Sequence, residues 1–132
     1  MIGLDTNVIA RTILNDDPKW SPIAIDFMLN KLTPENPGYI NLITLVELIW
    51  TLRKYPGYNR KGLVETIMAL LAAENLVIER PDLVTRALAA FEAGGAGFAD
   101  YLIAELNTAA GATHTVTIDG KAGSRPMFQP LN

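Results

Sequence analysis

The chain has 132 residues, 49% of them hydrophobic, with 11 Lys and Arg against 14 Asp and Glu for a net charge of -3. That is enough for a single domain over 1–132 with its own core, and it argues against a protein that coats nucleic acid through bulk positive charge, while leaving room for a local basic rim. With no cysteine, neither a disulfide framework nor a thiolate zinc site is possible, and the absence of a basic n-region or an apolar run of about 18 residues gives the expectation of a cytoplasmic chain without a membrane span.

In chain order, Ile2-Gly3-Leu4 is a short apolar strand ending in Asp5, and Val8, Ile9, Ile13 and Leu14 recur at helical spacing until Asn15-Asp16-Asp17-Pro18 stops them. A second helix is predicted from Trp20 to Lys31, with Pro22 in its first turn and Ile23, Phe27 and Leu32 on its inner face. A loop over residues 33–38 leads to a strand at Tyr39-Ile40-Asn41. From Thr44, the spacing of Leu45, Leu48, Ile49 and Leu52 predicts an amphipathic helix with Glu47 in its first turn, ending before Tyr55-Pro56-Gly57. A helix from about Lys61 to Ala73 precedes a strand at Leu76-Val77-Ile78. Pro81 then opens a helix carrying Leu83, Val84, Ala87, Leu88 and Phe91, closed by Gly94-Gly95-Ala96-Gly97. The last helix covers Ala99 to Ala110, strand Thr115 to Ile118 ends at Asp119-Gly120, and Ala122 to Asn132 reads as a tail of turn residues.

Strands alternating with helices predict a parallel sheet flanked by helices, in which sites form outside the carboxyl ends of the strands. Asp5 and Asp119 stand at such ends, and Glu47 and Asp100 stand near helix starts whose dipoles offset part of their charge. Carboxylates gathered in one pocket repel and either take up protons or recruit a cation. Hard oxygen ligands without His or Cys suit Mg²⁺ or Mn²⁺, which bind phosphate oxygens as readily as carboxylates and can orient an attacking water, so the cluster points to phosphodiester chemistry. Each residue also has a purely local use: Asp5 as a helix N-cap, Glu47 as the partner of Thr44 in a capping box, Asp100 on its helix dipole, and Asp119-Gly120 as a turn. The joint order of the four favours the shared pocket.

Ile2-Gly3-Leu4-Asp5-Thr6-Asn7, Thr44-Leu45-Val46-Glu47-Leu48, Phe98-Ala99-Asp100-Tyr101-Leu102-Ile103-Ala104 and Thr117-Ile118-Asp119-Gly120-Lys121-Ala122 together resemble the four motifs of PIN-domain proteins, specifically the VapC-type toxins of bacterial toxin-antitoxin systems. The resemblance spans nearly the whole chain. It implies a PIN-like α/β/α sandwich with a central parallel sheet and an Mg²⁺- or Mn²⁺-dependent endoribonuclease that cleaves RNA with a metal-activated water. It also implies inhibition by a cognate antitoxin protein and homodimerisation. By position, Asp5, Glu47, Asp100 and Asp119 are then the catalytic, metal-binding carboxylates, with Thr6 a supporting polar group. Gly120 departs from the pattern, since many relatives carry a bulkier or charged residue there, and the run Gly94-Gly95-Ala96-Gly97 is unusually rich in glycine.

Arg53-Lys54, Arg60-Lys61 and Lys121 with Arg125 are the basic pairs that could flank the pocket and hold RNA phosphates, or simply be solvated helix ends. Trp20, Phe27, Trp50 and Tyr55 read first as core and second as an apolar groove for an antitoxin segment or a dimer surface. His114 reads as a surface or hydrogen-bonding residue. The alternative functions are a PIN-type nuclease in RNA processing or on structured DNA, and a non-catalytic PIN module that binds RNA or protein. A phosphate-accepting receiver domain fits less well, because Asp5-Thr6-Asn7 lacks the acidic pair such domains carry after their first strand.

Overall fold

A computed structural model describes all 132 residues. The chain is α/β, with seven α-helices and short strands that pair in parallel throughout. It divides into two compact units, Met1–Glu79 and Arg80–Asn132.

In the first unit, β1 (Ile2–Gly3), β2 (Gly38–Ile40) and β3 (Leu76–Ile78) form a sheet in the order β1-β2-β3. Ile2 pairs with Gly38, and Tyr39 pairs with both Gly3 and Val77. Each strand runs directly into the start of a helix or its approach, so the carboxyl ends present Asp5, Asn41 and Glu79. The strand expected at Tyr39–Asn41 is shifted one residue earlier because Asn41 serves as N-cap of α3 (Leu42–Leu52), its Oδ1 accepting the Thr44 N–H at 2.8 Å. Between β1 and β2 run α1 (Thr6–Leu14) and α2 (Trp20–Asp26), the latter continuing through one π-helical turn, Phe27–Lys31. Asn15, in the left-handed conformation with φ 47°, closes α1 and returns its N–H to the Arg11 carbonyl. Asp17 secures the start of α2, its Oδ1 accepting the N–H groups of Lys19 (2.9 Å) and Trp20 (2.8 Å).

The inner face of α2 differs from the one expected. Ser21, Ala24 and Met28 are buried and Ile23 is 54% exposed, because Ser21 Oγ accepts the Asp17 N–H and so turns the small residues inward. Leu32 is buried as expected. On α3 the stripe Leu45, Leu48, Ile49 and Leu52 is buried as read, and α4 (Arg60–Ala72) buries Leu63, Val64, Ile67 and Leu70.

In the second unit, α5 (Pro81–Ala93) buries Leu83, Val84, Ala87, Leu88 and Phe91, and α6 (Phe98–Ala109) buries Phe98, Tyr101, Leu102 and Ala104. The two helices pack together, with the Phe91 and Phe98 rings edge to face at 6.1 Å. The tail is more ordered than its turn residues suggest. After β4 (Thr115–Thr117) comes a one-turn helix α7 (Gly120–Gly123), and β5 (Phe128–Pro130) then pairs in parallel with β4. Pro130 is tolerated because the ladder is continued by its neighbour, the Leu131 N–H donating to the Thr117 carbonyl at 2.9 Å.

Candidate functional site

The strand β1 hands the chain to α1 through Leu4, whose N–H donates to the Tyr39 carbonyl at 2.9 Å. This places Asp5 at the carboxyl end of β1 as the N-cap of α1, its Oδ1 accepting the Thr6 N–H at 2.8 Å. The local reading of Asp5 as a cap is therefore realised. The hydroxyl of the same residue, Thr6 Oγ1, donates to Glu47 Oε1 at 2.9 Å, across a sequence separation of 41 residues. Thr6 thus holds one oxygen of each carboxylate, through its N–H for Asp5 and its hydroxyl for Glu47.

Glu47 does not lie in the first turn of its helix. Because Asn41 is the cap and Leu42 the first helical residue, Glu47 falls in the second turn, and the Thr44–Glu47 capping box is not made. The Thr44 N–H goes to Asn41 instead. Glu47 stands on the exposed face of α3, away from the Leu45, Leu48, Ile49 and Leu52 stripe, and its side-chain partner lies on α1. Glu79, which sequence reasoning passed over, anchors this helix, its Oε1 accepting the Leu42 N–H at 2.9 Å from the end of β3. An acid directly following the apolar strand Leu76-Val77-Ile78 was the available signal.

Asp100 lies in the first turn of α6, where Oδ2 accepts the Gly97 N–H at 3.1 Å. Gly97 has no side chain to return the bond, so only half of a capping box is formed. Asp119 caps α7, its Oδ1 accepting the N–H groups of Lys121 (2.8 Å) and Ala122 (3.1 Å). Asp5, Asp100 and Asp119 therefore each do local work through one oxygen, whereas Glu47 is held by a residue distant in sequence. The structure brings Glu47 to Thr6 beside Asp5, and within neither unit do three or more carboxylate or imidazole groups gather closely enough to hold a metal ion.

The chemistry of the Asp5–Glu47 pair fits a hard divalent cation. Both residues are exposed, both are oxygen donors, and each commits one oxygen to Thr6 and retains a second; Mg²⁺ is commonly bound through one or two carboxylates while it keeps several waters. Thr6 is a supporting residue for both.

An apolar groove of about 660 Å³ opens on the same unit, with Leu4, Asn7 and Val8 on one side and Trp20, Ile23 and Phe27 on the other. Trp20 and Trp50 are 53% and 48% exposed, and Phe27 and Tyr55 half-buried, so the core reading of these aromatics is corrected. Trp20 opens α2 with the Lys19 ammonium 4.9 Å from its ring, and Trp50 lies off the buried stripe of α3. Of the basic pairs, Arg53, Lys54, Lys61 and Lys121 are exposed. His114 is an exposed residue just before β4, its Nδ1 3.0 Å from Thr113 Oγ1. Compared with known proteins, the chain matches no family model, no curated protein and no solved structure.

Proposed function

We propose that this chain is a PIN-like, VapC-type endoribonuclease dependent on Mg²⁺ or Mn²⁺, the toxin of a toxin-antitoxin pair. The observation that carries the reading is the Thr6 bridge. Thr6 bonds both Asp5, from the first motif, and Glu47, from the second, while Asn41 caps α3 and leaves Glu47 without the capping-box duty its sequence suggested. A carboxylate pair built from two distant segments, set at the carboxyl end of a parallel strand, is where an α/β fold places chemistry.

In this reading Asp5, Glu47, Asp100 and Asp119 are the metal-binding carboxylates that the resemblance to PIN domains implies. Thr6 fixes the orientation of the first two, and the local caps made by Asp100 and Asp119 fix theirs. A divalent cation held there supplies orientation of the attacking water and stabilisation of charge on the phosphodiester. The groove lined by Leu4, Val8, Trp20, Ile23 and Phe27 suits an apolar segment of the cognate antitoxin, because it is concave and keeps an exposed tryptophan at its edge.

The test is cleavage of a mixed RNA pool by the purified chain in Mn²⁺ or Mg²⁺, with a chelator control and Asp100→Asn prepared identically. Cutting that requires both metal and Asp100 supports the proposal. A folded, antitoxin-free protein that cuts nothing across a broad RNA panel and shows no heat of metal binding by calorimetry refutes it.

A further inference from the structure

The glycine-rich connector between α5 and α6 is built around an arginine from the tail. Gly94 and Gly95 have φ of 111° and 85°, a backbone that side chains rarely adopt. A Cβ on Gly95 would also sit 2.1 Å from Arg125 Nε and 2.6 Å from Cζ. Gly95 is thus glycine twice over, for its backbone angle and for the guanidinium lying against it. Tyr101 stiffens the same connector, its hydroxyl donating to the Gly94 carbonyl and accepting the Ala96 N–H. On the tail side, the Arg125 N–H donates to the Ala122 carbonyl at 2.9 Å, in the turn that leaves α7.

The seat leaves the guanidinium's hydrogen bonding unspent. Nε is shielded from solvent and has no hydrogen-bond partner, and Arg125 takes no part in the ion pairs that Arg11, Arg80 and Arg86 make with Asp16, Asp82 and Glu105. The residue keeps part of its surface exposed, and with Nε covered that surface belongs to the rest of the side chain and its Nη end. A buried donor without a partner and a positive charge without a counter-ion are both unfavourable, so this seat is costly unless it serves a function, and the part of the guanidinium open to an anion is its Nη end. The planar fork of arginine matches the oxygens of a phosphate. The unpaired, exposed Lys121 on α7 adds a second positive charge to the same tail.

We propose that Arg125, seated on the Gly94–Gly95 turn, is an anion-binding residue that takes a backbone phosphate of the RNA. Its assignment to RNA rests on the ribonuclease reading above. The connector that seats Arg125 also carries Gly97, the hydrogen-bond donor to Asp100, so one rigid turn positions both a phosphate anchor and a motif carboxylate.

Two measurements on the full-length chain test this. RNA binding is followed by fluorescence anisotropy over a salt series, in chelator to suppress cleavage, for wild type, Arg125→Gln and Arg125→Lys, with circular dichroism melting as the fold control. Arg125→Gln is expected to weaken binding about tenfold and to lower the magnitude of the salt slope by about 0.7, the loss of one phosphate contact on a single strand. Arg125→Lys, which keeps the charge and the stem should the glutamine fail to fold, is expected to recover most of the slope. In parallel, the Arg125 Nε–H cross-peak, assigned by its loss in Arg125→Lys, is followed in ¹H–¹⁵N spectra as inorganic phosphate is added, and it is expected to shift. RNA binding with the same affinity and slope in wild type and Arg125→Gln overturns the inference and leaves the ribonuclease reading intact. A cross-peak that does not move with phosphate overturns the anion site itself. Wild-type protein that binds no RNA while the cross-peak moves overturns the ribonuclease reading, and RNA as this residue's ligand with it.

Discussion

Removing the Thr6 bridge gives the most direct test of how the first two motifs are joined. Thr6 Oγ1 donates to Glu47 Oε1 at 2.9 Å, a charge-assisted bond between an exposed carboxylate and a half-buried hydroxyl. Bonds to charged groups contribute roughly 1.5–3 kcal/mol when shielded and neutral ones about 1, so solvent access here sets the expected coupling at about 1 kcal/mol. In a double-mutant cycle of Thr6→Val, Glu47→Ala and the pair, urea unfolding should return that coupling. For a chain of 132 residues, it corresponds to about 4 °C in melting temperature. The contrasting cycle replaces Asn41, the true cap of α3. Asn41→Ala should cost about 1 kcal/mol and add to Glu47→Ala without coupling, because the two side chains share no hydrogen bond. A Thr6–Glu47 coupling within about 0.3 kcal/mol of zero would refute the bridge. Coupling of Glu47 to the α3 cap would return it to a capping role.

The carboxylates themselves make a paired prediction: Asp5→Asn and Asp119→Asn should each lower metal-dependent RNA cleavage by about a hundredfold or more, yet melt within about 0.5 kcal/mol of wild type in chelator, since Asn caps a helix as well as Asp. A large loss of stability in metal-free buffer would show that their caps, and not a ligand, are why they are charged. Asp17 is held below its ordinary pKa of 3.8, first by the Trp20 N–H, then by the Lys19 N–H, with Arg11 and Lys19 adding weaker attraction. Its folded pKa is depressed, so its charge stabilises the fold above about pH 3.8 and that contribution is lost as pH falls below it. The melting advantage of wild type over Asp17→Asn should therefore be present at neutral pH and shrink through acid titration; an advantage that grows on acidification contradicts the assignment. Gly95→Ala should destabilise by at least about 1–2 kcal/mol from its positive φ alone, and the additional clash should be relieved in Gly95→Ala with Arg125→Ala. Equal costs in the two backgrounds would mean that the guanidinium does not lie on the turn. Trp20 and Trp50, both about half exposed, should be quenched by acrylamide with red-shifted emission, and a blue, protected signal would show that something covers them.

The helical stripes were legible because burial on one helix face imposes the 3.6-residue period on the sequence itself. All five apolar positions read on α5, Leu83, Val84, Ala87, Leu88 and Phe91, are buried, as are the four read on α3. The face of α2 was not legible in this way. Hydropathy favoured Ile23, but the hydrogen bond from the Asp17 N–H to Ser21 Oγ set the rotation of the helix and turned Ser21 and Ala24 inward. The second strand pair was hidden for a related reason. The Thr115↔Phe128 register pairs residues thirteen positions apart, across a stretch that contains Gly120, Gly123, Pro126 and a one-turn helix, and turn residues mark where a chain bends without saying what it bends back to pair with.

For the candidate site, the sequence by itself determined which residues carry charge and that they follow strands or open helices, since an N-cap or a strand end is written in the few residues around it. It also carried a plausible error, because Thr44-Leu45-Val46-Glu47 matches a capping box that the chain does not make. Only the tertiary structure decided between Thr44 and Asn41 as the cap, and in doing so it gave Glu47 to Thr6. Only the tertiary structure, too, set Arg125 against Gly95. Both are contacts between segments about thirty or more residues apart. Local sequence encodes preferences for turns, caps and periods, whereas which distant side chain satisfies a given donor or acceptor is settled when the packed elements leave one partner within hydrogen-bonding distance.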